Sequence, residues 1–430
     1  MLKILVVSYH PWRDDISLGN TLSNIFQGMD DKFDFANLYI RDDKPCNKIV
    51  HNYFHISEKN MAQNILSRRS VGEFVQSVNE DDIKENFSKS YNTARRLRWD
   101  VLLMAQDLLG ILSNWKSDKL DEFIDSYKPD IIFGPLGRVP ISNIIMTNLS
   151  SRYKIPLVTY AWDDHFSLKK HSLSPFFWMR LFIERHYIRI CAKQSIFLYT
   201  ITPLMKIEYS RIFRKECKLL YKGFSFETRP TSKKPDKTIK IIYMGNIGAG
   251  RYETLKKIAT VVNGLNENEV KFTLDIYTMS PVTKKTRDSL NNGACRLLKP
   301  VSSNGVMNTM QKADILLHVE PQSLNEKMQF RLSFSTKIVD YLYNAKCILA
   351  VGENTGTIDY LKKNDCALIA KDVNEIKNIL ETIYISPNIL EEYSDKSWMC
   401  GLKNHQITNI QDMLFSDFEE TAKRTNYANK

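Results

Sequence analysis

The chain has no CxxC pair and no cysteine–histidine spacing suited to zinc. Its seven cysteines (Cys46, Cys191, Cys217, Cys295, Cys347, Cys366, Cys400) are odd in number and widely scattered. A disulfide framework and a structural zinc site are therefore excluded, and reduced thiols in a cytosol are expected. No apolar run reaches the roughly 18–20 residues that span a bilayer. The opening MLKILVVSYHPW carries only a short apolar run before Ser8 and no small-residue cleavage site, so it reads as a buried first strand rather than a signal peptide. Fixed-period repeats are missing, and low complexity is confined to the last few residues.

What is present is the composition of a globular protein, with 43% hydrophobic and 25% charged residues in 430. That length exceeds what one core usually serves and predicts two domains. The formal charge of +11 is uneven: Ser174 to Lys240 holds fifteen Lys/Arg against five Asp/Glu, so the remainder is almost balanced. Such a band is attracted equally to phosphodiesters, anionic lipid or a phosphorylated substrate.

KILVVSY (3–9), DFANLYI (34–40), PDIIFG (129–134), PLVTYAW (156–162) and IFLYTIT (196–202) are short apolar, β-branched or aromatic runs separated by stretches of helical period. This alternation predicts an α/β class with a parallel, doubly wound sheet. RPTSKKPDKTIK (229–240) interrupts it as an exposed linker. The alternation then restarts at 239–245, 271–277, 314–320 and 346–352, with 367–370 as a shorter strand. The expected organisation is a first Rossmann-like domain over 1–228, a linker over 229–240 and a second over 241–399. Helices in the tail break at Pro387, and the last, about 400–430, is expected to pack back on the first domain. The long stretch 44–116, with basic clusters at Arg68-Arg69 and Arg95-Arg96-Arg98, is expected to extend the first domain with extra helices.

RLSFSTKIVDYL (331–342) gathers Arg331, three Ser/Thr hydroxyls and Lys337 where a helix begins. With Ser335 as cap of a helix over Thr336–Tyr343, free amides and the dipole form an anion site, to which Ser335, Thr336, Lys337 and Arg331 add donors. Asp340, one turn on, is placed to accept from sugar hydroxyls, so phosphate plus ribose is the simplest ligand. The alternative is an ordinary N-cap with a solvated lysine. YMGNIGAGRYETL (243–255) follows a strand and opens a second helix, where Gly245, Gly248 and Gly250 permit close backbone approach and Arg251 supplies charge. Its glycines lack GxGxxG spacing. Two strand-to-helix junctions in one doubly wound domain favour a nucleotide diphosphate.

The series GNIGAGR, ADILLHVE (313–320) and FSTKIVDYLYNAKCILAVGE (334–353) resembles the donor-binding domain of the GT-B glycosyltransferases, specifically the retaining group acting in polysaccharide and glycolipid assembly. YKGFSF (221–226) and ITPLMKIEYSRIF (201–213) agree with it, and the resemblance covers nearly the whole chain. It implies two Rossmann-like domains facing a central cleft and a metal-independent, retaining glycosyltransferase of hexosyltransferase type, with a nucleotide-diphospho-sugar as substrate and no cofactor. By the resemblance Ser335, Thr336 and Lys337 hold the diphosphate and Asp340 the ribose, with Gly245, Asn246 and Arg251 opposite. Where the family carries the first of two glutamates this chain has Leu332, and His318 and Glu320 are expected to meet the sugar instead. No DxD lies at the donor site; the acid pairs Asp14-Asp15, Asp42-Asp43 and Asp81-Asp82 fall in the first domain.

YAWDDHFSL (160–168) starts at a strand end, so Asp163, Asp164 and His165 are the catalytic candidates for orienting an acceptor hydroxyl or stabilising positive charge on a sugar ring; the alternative is a capping acid and a solvated histidine. Gly19, in the loop region after the first strand near His10, is expected beneath the donor phosphates. The resemblance implies a glycan or lipid-linked acceptor, bacterial-type surface polysaccharide or lipopolysaccharide assembly, and a cytoplasmic place on the inner face of the plasma membrane. FFWMRLFIERHYIRI (176–190) mixes aromatics with three arginines, so residues 174–240 are expected to meet an anionic membrane; the alternative is a core stripe. A nucleic-acid partner is not expected, since no RRM, KH or helix-turn-helix pattern occurs. A nucleotide-sugar epimerase of the same fold and an inert nucleotide-sugar-binding protein are the competing readings.

Overall fold

A computed structural model describes residues 1–14, 17–67, 71–78, 100–231, 237–302 and 305–428. The basic clusters at 68–69 and 95–98, Asp15, Asp81-Asp82 and the linker core 232–236 lie outside them. The chain divides into two compact units, one of residues 1–221 with 409–430 and one of residues 222–408.

In the first unit the order is β1 (Leu2–Ser8), α1 (Ser17–Phe26), β2 (Phe33–Tyr39), β3 (Val50–His55), α2 (Glu58–Ser67), β4 (Glu73–Val75), α3 (Asp100–Leu112), α4 (Asp118–Tyr127), β5 (Ile131–Pro135), α5 (Pro140–Tyr153), β6 (Leu157–Ala161), α6 (Pro175–Gln194), β7 (Leu198–Thr200), α7 (Pro203–Phe213) and β8 (Cys217–Leu219). The eight strands run β4-β3-β2-β1-β5-β6-β7-β8, parallel except for the β3–β4 edge pair. β5 and β6 are buried along their whole length, as expected of parallel strands covered on both faces. Proline opens α5, α6 and α7, where its missing N–H costs nothing, and Ser174 and Thr202 cap the latter two.

The second unit continues with β9 (Ile239–Met244), α8 (Arg251–Leu265), β10 (Phe272–Tyr277), α9 (Lys284–Leu290), β11 (Cys295–Leu298), α10 (Val306–Gln311), β12 (Ile315–Val319), α11 (Leu324–Phe330), α12 (Lys337–Tyr343), β13 (Cys347–Val351), α13 (Gly356–Lys363), β14 (Leu368–Ala370), α14 (Val373–Ile385) and α15 (Asn388–His405). Its six strands are all parallel in the order β11-β10-β9-β12-β13-β14. The strand order reverses between β9 and β12, where Leu317 lies beside Tyr243. Ile241, Leu274, Leu317 and Leu349 join Leu255, Ile258 and Leu380 in the core on one face.

The division falls at Tyr221/Lys222, ahead of the expected linker, because Phe224 and Phe226 of YKGFSF pack within the second unit. Phe224 stacks on Tyr343 at 4.6 Å and Phe226 lies 5.0 Å from Trp398. The final helix α16 (Ile407–Ala428) belongs to the first unit from Asn409 onward. Phe418 joins Phe26, Phe33 and Phe133, and Asp417 accepts from Tyr199 and Lys218, each at 2.6 Å.

Candidate functional site

In the second unit, the carboxyl ends of β9 and β12 flank the point where strand order reverses, the usual location of ligands in open α/β sheets. Gly245 and Asn246 follow β9; His318 and Glu320 end β12. Arg251, the first residue of α8, reaches across. Its Nε donates to the Val319 carbonyl at 3.0 Å, its guanidinium lies 3.7 Å from Glu320, and it covers the Phe330 ring at 5.1 Å. Gly250 turns the chain into α8 with φ +73°, a conformation glycine adopts without cost.

His318 Nε2 donates to Glu320 Oε1 at 3.0 Å, and both side chains are buried. Burial alone opposes the Glu320 charge, but hydrogen bonds from His318 and Thr357 together with the Arg251 cation hold its pKa below the usual range. Leu332 is wholly buried as a core residue, so His318 and Glu320 are the ionisable pair at this strand end.

Lys337, the first residue of α12, brings its Nζ beside Gly245: a Cβ at that glycine would stand 3.2 Å from it and 3.0 Å from the Tyr243 hydroxyl. The Lys337 side chain keeps accessible surface within a crowded surrounding and makes no ion pair among the described residues. Desolvation, then the nearby Arg251 charge, lower its pKa, with Asp340 opposing. Asp340 instead accepts from Lys222 Nζ at 2.7 Å, and burial raises its pKa against the pull of Lys222 and Lys337. His405 supports the backbone of Lys222: its Nδ1 donates to the Lys222 carbonyl, leaving Nε2 to accept from Tyr360, and burial pushes its pKa down to about 4.

Ser335 does not cap the helix. Thr336 occupies the N-cap position, without a side-chain capping bond, and α12 begins at Lys337. The Ser335 amide instead donates to Thr357 Oγ1 at 3.0 Å, because α13 brings that hydroxyl to the loop. Asn246 Oδ1 accepts from the Gly248 amide at 2.6 Å and from Ser280 at 2.8 Å, which shapes the loop after β9. Arg331 closes α11 as its C-terminal cap residue. The structure thus groups Gly245, Arg251, His318, Glu320, Lys337 and Asp340 at one sheet edge and adds Lys222. Lys222 was missed because its partner lies 118 residues away, although it stands in the quoted YKGFSF stretch.

The first unit holds a cavity of about 800 Å³ lined by residues that include His10, Gly19, Gln106, Arg138, Trp162 and His165. Burial first, then Arg138 and Lys170, push the His165 pKa down to about 3, so the imidazole facing this cavity is neutral. Asp163 is half-buried, and its carbonyl accepts from the His165 amide. Asp164 does not present itself as a reactive acid. It is buried and accepts from the Ser167 amide at 2.9 Å, the Ser167 hydroxyl at 2.5 Å and Tyr209 at 3.3 Å, holding the loop. Its acceptor capacity is used locally, which is the expected behaviour of an aspartate at a turn. Gly19 lies in α1 rather than in a loop, where a side chain would collide with the Arg13 backbone.

Two networks at this cavity escaped the sequence reading. Glu58 accepts from Tyr9 at 2.9 Å and from Gln106 at 2.7 Å. Arg180 is buried between Asp107 at 2.6 Å and Glu184 at 3.0 Å, with Arg138 at 3.8 Å from Glu184. Burial first, with the nearby Asp107 charge adding to it, pushes the Glu184 pKa up to about 7 against the pull of Arg180 and Arg138. The i,i+4 spacing of Arg180 and Glu184 was a visible signal for part of this network.

No family model matches the chain, and no curated protein does. Solved structures do. HepE of Anabaena, determined in complex with UDP and glucose, is 10% identical over 98% of this chain and 100% of that one, with a TM-score of 0.64. TarM is 9% identical over 97% and 99%, also at 0.64. A putative UDP-N-acetylglucosamine 2-epimerase of Listeria monocytogenes is 12% identical over 98% of each chain, at 0.51. Among the described residues no helix is long and apolar enough to cross a membrane. With two parallel-sheet units and these likenesses, the chain has the GT-B fold of glycosyltransferases.

Proposed function

We infer that the protein is a glycosyltransferase that takes a sugar from a nucleotide-diphospho-sugar and places it on a hydroxyl of a glycan or lipid-linked acceptor. The observation that carries this reading is the placement of Lys337, Arg251 and the Gly245 backbone at the switch point of the second sheet, with Glu320–His318 and Asp340 around them. Lys337 lacks a carboxylate partner within ion-pair distance, so an incoming diphosphate supplies the missing anion. Asp340, held by Lys222, is the ribose acceptor, and the Glu320–His318 pair meets the sugar in place of an acid at Leu332. HepE was solved with UDP and glucose, which agrees with a donor of this class.

The reaction we favour proceeds with retention and without a metal. The acceptor hydroxyl oxygen bonds to the anomeric carbon as the bond to the diphosphate oxygen breaks, and the acceptor proton passes to the departing diphosphate. Lys337 and Arg251 stabilise the negative charge that builds on the leaving group. Neutral His165 and Asp163, at the edge of the first unit's sheet, orient the acceptor. Surface polysaccharide assembly on the cytoplasmic side of a membrane is the setting this chemistry fits.

Calorimetric titration with UDP, GDP, CDP and ADP tests the donor site. One diphosphate should bind clearly, and Lys337→Ala should weaken it; absence of binding by all four defeats the reading. The His318–Glu320 pair and the Listeria likeness favour a second reading, a nucleotide-sugar epimerase. Release of free nucleoside diphosphate on turnover separates them, because an epimerase keeps the sugar–diphosphate bond overall.

A further inference from the structure

Helices α3 and α6 of the first unit pack on each other and leave large apolar side chains exposed. In α3 the buried residues are Asp107 and Gly110, whereas Leu102 and Leu112 are 52% and 72% exposed, with Val101 and Leu108 beside them on the helical projection. In α6 Arg180 and Glu184 are buried together with Leu181, Ile188, Cys191 and Ala192, while Met179 and Phe182 are 54% and 57% exposed. The ion network Asp107–Arg180–Glu184 is therefore turned inward and the leucine, methionine and phenylalanine side chains outward. A helix face turned to water ordinarily carries polar rather than large apolar side chains. A surface that exposes several large apolar groups on two adjoining helices marks a contact with an apolar medium or partner.

Charge selects between occupants. The apolar residues fill the N-terminal half of the outward α6 face, and Arg189 and Lys193 follow on its C-terminal half. From Lys169 to Lys215 there are ten Lys/Arg against two Asp/Glu, and Lys206, Arg211 and Arg214 of the neighbouring α7 region are exposed. A second copy of this chain would bring the same positive field against itself. An anionic surface is attracted by it.

We propose that the α3–α6 face of the first unit is a docking surface for an anionic lipid bilayer, with the exposed apolar side chains inserted at the headgroup boundary and the basic residues beyond them paired to lipid phosphates. This narrows the membrane contact to a particular face and extends it to α3, outside the basic band. It does not depend on the donor reading.

The test is flotation of the full chain with vesicles of phosphatidylcholine alone or mixed with phosphatidylglycerol. Binding should require phosphatidylglycerol and weaken as salt rises. Met179→Gln/Phe182→Gln and Leu102→Gln/Leu108→Gln should each reduce partitioning roughly tenfold or more, whereas Phe182→Leu should retain it. None of these residues lines the cavity or belongs to the donor cluster, so the thermal unfolding midpoint of the same variants should stay close to that of the wild type and reports folding independently. Equal binding to neutral vesicles overturns the charge argument. Absence of vesicle binding, including the case of a dimer in solution that the same variants dissociate, overturns the proposal.

Discussion

Replacing Lys222 by Met should destabilise the second unit more than any loss of packing explains. The Lys222–Asp340 pair spans 2.7 Å, and its side chains are only 10% and 15% exposed. Coulomb attraction at that distance is about 6 kcal/mol at an effective dielectric of 20, but much of it repays desolvation. Removing one partner leaves the other charge buried, so the expected cost is about 3 kcal/mol. For a unit of this size that lowers its Tm by roughly 6–12 °C. Met retains most of the aliphatic stem, which limits the packing loss, although it gives up the Lys222 Nζ contact with the Phe224 ring at 4.9 Å.

The double variant Lys222→Met/Asp340→Leu should recover most of that cost, because no buried charge remains. A thermal or denaturant double-mutant cycle measures the coupling. The pH dependence supplies a further check. Asp340 has a folded pKa raised above its ordinary 3.8 by burial. Its protonated form therefore contributes stability that is present below 3.8 and lost as pH rises through the folded value. Without Lys222 this loss deepens, so the gap between wild type and Lys222→Met should be small in acid and widen as pH rises. Additive single costs, within about 0.5 kcal/mol, would refute the reasoning.

In the donor cluster, Lys337→Ala and Arg251→Ala should each weaken nucleotide diphosphate binding about 10–100-fold by calorimetry, the scale of one charge-assisted hydrogen bond. Arg251→Lys should not restore it, since the contact to the Val319 carbonyl uses the guanidinium Nε. Gly245→Ala places a methyl 3.0 Å from the Tyr243 hydroxyl and 3.2 Å from Lys337 Nζ; binding should fall several-fold, while unfolding changes by only about 1 kcal/mol. For Glu184, whose folded pKa is raised from 4.5 to about 7, stability is fully present below 4.5 and lost as pH rises through about 7. Relative to Glu184→Gln, the wild type should lose up to about 3 kcal/mol across that interval; a pH-independent difference would refute the assignment.

Most strands were legible because a parallel sheet covered on both faces demands short runs of buried apolar residues, as in KILVVSY and DILLHVE. The strands not read were those the demand does not reach. β3 exposes His51 and Asn52, β4 is a three-residue antiparallel edge, β8 is three residues long, and β11 is a half-buried edge strand. Lys337 and Asp340 could be found because one turn of helix fixes their spacing. Lys222 could not, since its pairing depends on a return of the chain over more than a hundred residues. Asp164 shows the opposite error: its neighbour Ser167 and its position after a strand announce a loop-holding aspartate as clearly as a reactive one.

α6 shows why periodicity alone was insufficient. A 3.6-residue period sets Met179 and Phe182 apart from Arg180 and Glu184 on the sequence itself, with Phe176 in line with Arg180, but it does not say which set faces inward. The ordinary assumption puts the apolar set inside. Here Asp107, supplied by α3 at a separation of 73 residues, satisfies Arg180 and draws the polar set into the fold. The burial of the ion pair is thus decided by a partner the local sequence does not contain, and Met179 and Phe182 face outward while Leu181 and Ile188 stay buried beside it. A distant ion pair buried among apolar neighbours therefore leaves on this helix exposed apolar side chains that the core does not require.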